Sequence, residues 1–396
     1  MESASGDKNP AGSGAARPAP IASQKWSTVP LRIRSIETVG LRVPLARVFR
    51  GSKYQMDKRC TIITRVLTED GIVGEAYNGD EDEAQAAIRH IIHQELAPVL
   101  VGRDVFDAEG CWEAMLPSTF DILRERKLAT QAIACVDSAI WDALGKALGM
   151  PLFRLWGGYR DALPIIAIGG YYDRTSHELA TEMQYYQQLG LAGCKFKVGG
   201  ASPEEDAKRF RVAREAAGSS FVLMADANQG YTLREAVRFC HLIEGLNIRW
   251  FEEPCRWTND RRAMRDVRSL TGVPVAAGQS ELSLSGARDL MVDGAIDVCN
   301  FDASWAGGPT QWRRAAALAS AFDVEMGHHE EPQIAAHLLA AVPHGTYVEC
   351  FHPERDPLFW NLIANGPVIR DGLYRVPSGP GFGIELDAAY VAGHSV

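Results

Sequence analysis

The sequence lacks any long hydrophobic run. No segment approaches the roughly 18 uncharged apolar residues that a membrane span requires, so no membrane role is expected. Basic charge is not in excess either. With 41 Lys and Arg against 50 Asp and Glu, the formal net charge is −9. Most of the surface therefore repels phosphate backbones and anionic lipid, and nucleic acid is not an expected partner. Paired cysteines are also missing: Cys60, Cys111, Cys135, Cys194, Cys240, Cys255, Cys299 and Cys350 stand singly, with no CxxC. Most lie in apolar runs, where a thiol behaves as a small hydrophobe. That usage predicts a reducing, cytoplasmic compartment rather than a disulfide framework. Residues Met1 to Pro30 are rich in Gly, Ala, Ser and Pro but lack the apolar core of a signal peptide. They read as a disordered tail.

What is present divides in two. From Leu31, strand patterns over Leu31–Val43, Cys60–Leu67 and Ile72–Tyr77, the last two joined by the turn signal Asp70-Gly71, predict a small antiparallel sheet. A polar, basic loop holding Arg47, Arg50, Lys53, Tyr54 and Lys58 is expected between the first two. Helical patterns follow at about Asp82–Leu100, Val105–Met115 and Thr130–Leu148, the last stopped by Gly149 and Pro151. Residues 31–155 thus read as an α+β domain. From Pro164, eight short β-branched runs alternate with amphipathic helices: Ile165–Ile168, Cys194–Val198, Phe221–Asp226, Ile248–Glu252, Val273–Gly278, Ile296–Asp302, Val324–His328 and Tyr347–Cys350. Eight βα units of roughly 30 residues predict an α/β fold of the TIM (β/α) barrel type over residues 156–365, with a doubly wound sheet as the alternative. Residues 366–396 are expected to return to the α+β domain.

In such barrels the chemistry sits at the C-terminal ends of the strands. Those ends carry Lys195 and Lys197, Asp226, Glu252, Gln279, Asp302, His329 and Glu349, each 20 to 29 residues after the last from Lys197 onward. One polar group per repeat, at one height, is a register that scattered surface charge would not keep. Lys195 and Lys197 lie two apart, so a strand points both the same way. Two inward ammonium groups call for an anion, which favours a substrate carboxylate over a solvated pair. Asp226 and Glu252 are hard oxygen donors suited to Mg²⁺, against the plainer reading of carboxylates paired with the lysines. Asp302 is placed to orient His329 as an acid or base. His328, its neighbour, should point away. Glu349 could meet a developing oxyanion if burial keeps it protonated.

These segments closely resemble the mandelate racemase subgroup of the enolase superfamily. They are Lys195-Phe-Lys197, Asp226-Ala-Asn228-Gln, Phe251-Glu252-Glu-Pro, Asp302 followed by Gly307-Gly308, His329 followed by Ile334-Ala-Ala-His-Leu-Leu, and Glu349. The segment Gly149 to Gly158 is similar to the family's junction between cap and barrel. Trp305 stands where the muconate cycloisomerase subgroup would carry a lysine. The resemblance implies an N-terminal capping domain, a homo-oligomer, and proton abstraction alpha to a carboxylate bound to Mg²⁺. It implies Lys197 and His329 as facing bases, Lys195 on the substrate carboxylate, Glu349 on the enediolate and Asn228 near substrate. One position departs from the family: where an acidic third metal ligand is usual, the sequence reads Gly278-Gln279-Ser280-Glu281. Glu281 is the expected third ligand, because Mg²⁺ gains from another carboxylate, with Gln279 the alternative. The basic loop suits hydroxyls or a second carboxylate. Dehydration of an acid sugar (an aldonate or aldarate) is therefore the expected reaction, with racemisation, epimerisation or cycloisomerisation as alternatives. A non-catalytic ligand-binding paralogue is the reading that Gln279 alone favours.

Overall fold

The computed structural model describes residues 30–79 and 84–396. The expected tail lies outside them except for Pro30, as does the expected helix start at Asp82. Three antiparallel strands, β1 (Ile33–Arg50), β2 (Gln55–Thr68) and β3 (Val73–Asn78), form the cap sheet in that order. The segment expected as a loop is instead the far end of a long hairpin. Phe49 pairs with Met56 and Arg50 with Gln55, and the Gly51 N–H donates to the Tyr54 carbonyl at 3.0 Å. Alternation of buried and exposed positions continues through Val43, Leu45 and Phe49, but the dense charge around it hides the strand signal. A register shift between Pro44 and Phe49 marks an irregularity of the bulge kind, which bends a strand.

The cap helices are α1 (Gln85–Ile91), continued by a π-helical turn and α2 (Ala97–Leu100), then α3 (Ala108–Met115) and α4 (Arg126–Ala147). From Gln131 to Gly145, α4 is buried on every side. A helix buried all round lies between two layers, here the cap sheet and the barrel. On the sheet side the approach is close: a Cβ on Gly74 of β3 would stand 2.0 Å from the Ala139 carbonyl oxygen. On the barrel side, Trp141 Nε1 donates to Thr310 Oγ1, and the Asp137 carboxylate accepts from both Thr310 N and Oγ1. After α4 a short helix, α5 (Leu152–Leu155), leads into the barrel.

The barrel strands are β4 (Ala162–Gly169), β5 (Gly193–Lys197), β6 (Val222–Asp226), β7 (Ile248–Glu252), β8 (Val275–Ala277), β9 (Val298–Cys299), β10 (Glu325–Met326) and β11 (Val348–Phe351). Each pairs in parallel with the next from β4 to β10, and β11 pairs in parallel with β4. The ring closes through Met326, whose N–H donates to His344 O and whose carbonyl accepts from Thr346 N. Helices α6 (Ser176–Gln188), α7 (Pro203–Ala217), α8 (Leu233–Leu242), α9 (Asp260–Thr271), α10 (Leu284–Val292), α11 (Pro309–Ser320) and α12 (Pro332–Ala341) follow the first seven strands. After β11, where an eighth helix is expected, the chain makes a π-helical turn at Leu358–Leu362. It then forms the strands β12 (Val368–Arg370) and β13 (Leu373–Arg375), and β13 adds antiparallel to the start of β4. A last helix, α13 (Ala388–His394), lies on β1 of the cap, where Val396 N donates to Gly40 O. Inside the ring, Ile166, Met224, Trp250, Ala276 and Val298 form an apolar floor. All eight cysteines are buried and free, and no described helix is long and apolar enough to cross a membrane.

Candidate active site

Lys197, Asp226 and Glu252 end their strands and sit side by side in the sheet register. The Lys197 ammonium donates to Asp226 Oδ2 at 2.7 Å and to Asn228 Oδ1 at 2.9 Å. Lys195, two residues earlier and on the same face, pairs with Glu252 Oε1 at 2.7 Å and Glu349 Oε1 at 2.6 Å. All five charged groups are buried. Burial opposes the charge on Lys195, but Glu252 and Glu349 outweigh it and hold its pKa above the ordinary lysine value. Burial likewise opposes the charge on Lys197, and Asp226 reverses the balance. Glu252 is pushed up to about 7 by burial, against the pull of Lys195. Glu252 also accepts from Asn300 Nδ2 and, from the apolar floor, Trp250 Nε1.

His329 follows β10. Its Nδ1 is 2.9 Å from Asp302 Oδ2, and its Nε2 is 3.2 Å from Glu330 Oε1. Burial disfavours the imidazolium, but Glu330 and Asp302 together raise its pKa well above the usual histidine value. His328 faces elsewhere: its Nε2 accepts from Ala303 N, and its Nδ1 lies on the carbonyls of His329 and Glu330. Burial lowers its pKa. The Trp305 ring lies 5.0 Å from that of His329, with the Lys127 ammonium of the cap 3.7 Å from its centroid. Glu349 uses both oxygens as acceptors, from Lys195 and from Glu330 N at 3.1 Å.

Gln279 lies three residues beyond Ala276, the register neighbour of Glu252. Its amide nitrogen donates to Glu253 Oε2 at 3.1 Å, and its buried amide oxygen has no hydrogen-bond partner. Glu281 is engaged elsewhere, with Arg261 Nη2 at 2.9 Å, beside a cleft of about 410 Å³ between α3, α4 and the loops after β8 and β9. Among the described residues no three His, Cys, Asp or Glu side chains converge as a metal-ligand cluster. Gln279 brings an amide to this end of the barrel, and Lys195 and Lys197 pair with Glu252 and Asp226.

The cap hairpin reaches this mouth. Arg50 O accepts from Tyr172 N at 2.9 Å, Arg47 pairs with Asp173 at 2.7 Å, and the Tyr54 ring lies 5.6 Å from Lys197 Nζ. Phe49 and Tyr54 pack with Ile168, Tyr171 and Phe351. Arg59 on β2 is 1% exposed and reaches Asp356, Glu331 and Glu330. Sequence reasoning passed over Tyr171, Glu330 and Glu331. The last two carry a usable signal, a Glu-Glu pair directly after a strand-end histidine.

A closed parallel barrel with lysines, carboxylates and a histidine–aspartate pair at its strand ends, under an α+β cap, is the architecture of the enolase superfamily. Residues 35–157 match the mandelate racemase / muconate lactonizing enzyme N-terminal domain, and residues 178–390 match the enolase C-terminal domain-like family. The chain belongs to this family. It is 30% identical to 3,6-anhydro-alpha-L-galactonate cycloisomerase of Streptomyces coelicolor, over 90% of this chain and 97% of that protein. It is also 30% identical to arabinonate dehydratase of Saccharolobus solfataricus, over 82% and 88%. A mandelate racemase/muconate lactonizing enzyme from a marine actinobacterium, solved in complex with magnesium, superposes with a TM-score of 0.88 at 55% identity, over 92% of this chain and 99% of that one.

Proposed function

We propose that the protein dehydrates an acid sugar, an aldonate or aldarate, to a 2-keto-3-deoxy acid. The observation that carries this reading is the pairing of Lys197 on one wall of the mouth with a His329 that has a carboxylate on each ring nitrogen. A histidine so held is a proton donor, which elimination of a hydroxyl needs. In the reaction Lys197, after its ammonium gives up one proton to solvent, takes the alpha proton as the neutral amine, and His329 gives its Nε2 proton to the β-hydroxyl. The carbon–oxygen bond breaks, water leaves, and the resulting enol ketonises. His329 then regains its proton from solvent. Lys195 orients the substrate carboxylate, and Glu349 in turn holds Lys195. Asn228 holds the Lys197 side-chain nitrogen beside the substrate.

The donor set fits Mg²⁺. Asp226, Glu252 and the Gln279 amide oxygen would hold it, the last being a buried acceptor that lacks a protein donor. This assignment replaces the expectation for Glu281, whose carboxylate is committed to Arg261. When bound, the ion supplies positive charge that stabilises the enediolate oxygens. The named dehydratase and cycloisomerase relatives act on acid sugars or their anhydro forms, and the 55% identical structure contains magnesium. Both facts support the reading. Epimerisation is the second reading, favoured by two proton-carrying groups at separate strands of one mouth. A panel of aldonates and aldarates with Mg²⁺ in D₂O, followed by proton NMR, separates the two. Formation of 2-keto-3-deoxy product supports dehydration. Deuterium at the alpha carbon without loss of water supports epimerisation, and neither event on any acid sugar overturns both.

A further inference from the structure

Glu330 supplies the carboxylate on His329 Nε2, and the backbone is strained to bring it there. Glu330 and Glu331 both adopt left-handed conformations, with φ of +51° and +46°. Two successive non-glycine residues in that region persist where surrounding structure holds them. The holding groups are identifiable. Glu330 N donates to Glu349 Oε2, and the Glu331 carboxylate accepts from Gly79 N at 3.0 Å, Arg59 Nη2 at 3.4 Å and Gln333 Nε2 at 2.5 Å. In an extended strand the side chain after His329 would point to the opposite face. The left-handed turn brings it round instead, so that Glu330 Oε1 lies 3.2 Å from His329 Nε2. Asp302 already holds Nδ1, so Nε2 is the nitrogen left to serve the substrate.

We propose that Glu330 is a positioning residue that holds the Nε2–H of His329 in the resting site and yields that hydrogen to the leaving hydroxyl when substrate enters. The proposal rests on the dehydration reading for its final step, not for the contact itself. The step balances: the Nε2 proton passes to the β-hydroxyl oxygen, and the carbon–oxygen electron pair leaves with it as water. The alpha carbon–hydrogen pair becomes the new double bond, and His329 is left neutral. The groups that set the charge of His329 are Asp302 and Glu330 in contact, His328 beside it in sequence, and Glu253 within electrostatic range. Lys127 lies over the neighbouring Trp305, and Arg59 and Arg355 lie beside Glu330.

The test is histidine side-chain ¹⁵N NMR on the full chain in saturating Mg²⁺, with His329 assigned through His329→Asn. Wild-type His329 is expected to stay charged at pH 8. Glu330→Gln should move its titration down by at least one pH unit, and Glu330→Asp should restore most of that shift. With a turned-over acid sugar, Glu330→Gln should slow loss of the hydroxyl at least tenfold while alpha-proton exchange continues. A wild-type His329 that titrates near the ordinary value of about 6.5 overturns the proposal, whether or not the variants fold. So does a Glu330→Gln titration identical to wild type. If the NMR shifts appear but no acid sugar is dehydrated, the Glu330 contact stands and the assigned reaction falls.

Discussion

Gln279 Nε2 donates to Glu253 Oε2 at 3.1 Å, and that bond decides which end of the amide is available to a ligand. Glu253 is itself fixed by Ser280 Oγ at 2.7 Å and Gln229 Nε2 at 3.3 Å. A carboxylate only accepts hydrogen bonds, so the amide nitrogen must face it and the oxygen must face away. Gln279→Leu is expected to weaken Mg²⁺ binding by roughly tenfold or more, the size seen when a metal's supporting contacts are lost. Glu281→Gln should leave binding unchanged, because that carboxylate serves Arg261. Titration calorimetry reads both. A large loss in Glu281→Gln with none in Gln279→Leu would reverse the ligand assignment.

Lys197 and His329 should fail in different ways. With Lys197 the base and His329 the acid, Lys197→Ala loses both dehydration and alpha-proton exchange. His329→Asn loses dehydration by about 10²-fold or more but still exchanges the alpha proton. Mass spectrometry of recovered substrate from D₂O measures exchange directly. Exchange that persists in Lys197→Ala and vanishes in His329→Asn would swap the two roles.

The cap is seated on the barrel through a glycine as well as through hydrogen bonds. Gly308, immediately before α11, has φ +93°, and a Cβ there would lie 2.4 Å from Asp137 Oδ2. Gly308→Ala therefore meets an unfavourable backbone and a crowded carboxylate at once. A loss of about 2 kcal/mol or more is expected, seen as a lower melting temperature. An unchanged melting temperature would show that α4 shifts freely to make room.

His337 gives the fold a sensitivity to acid. Its Nδ1 accepts from Phe153 N at 3.2 Å and its Nε2 lies 2.9 Å from Phe382 O, so both nitrogens are used by the neutral ring. Burial lowers its pKa to about 4. The unfolded chain, titrating near 6.5, binds a proton that the folded chain refuses. Stability is thus full above about pH 6.5 and falls as pH drops toward 4, by up to about 3 kcal/mol from this group. His337→Gln can keep one acceptor and one donor without titrating. It should be less stable at pH 8 yet lose less between pH 6.5 and 4, measured by urea unfolding. A decline as steep as wild type would remove His337 as the cause.

The strand ends were legible because burial and spacing act together: each βα repeat returns the chain to one height, and a charge in an otherwise apolar strand end stands out. Lys195, Lys197, Asp226, Glu252, His329 and Glu349 were read this way; Lys195, Glu252 and Glu349 form a buried cluster that Glu330 joins to His329, and Lys197 and Asp226 pair beside it. The hairpin tip was not legible. Arg47, Arg50, Lys53 and Lys58 mask the alternation, and the strand is held there by docking on Tyr172 and Asp173. Sequence placed Glu281 ahead of Gln279 on charge alone, whereas the choice depends on Arg261 and Glu253, distant partners that only the fold brings close. Glu330 escaped for a related reason. Period-two reasoning sends it away from the site, and a left-handed backbone overrides that rule.

The path of the last thirty residues bears on how this enzyme could be recombined. Because α13 and Val396 lie on β1, the cap is assembled from both sides of the barrel segment. A chimera that exchanges residues 31–150 with a relative would pair a foreign sheet with a resident closing helix. Transplanting the cap intact requires two crossovers, so exchanging it by domain shuffling is harder here than the linear order of the domains suggests.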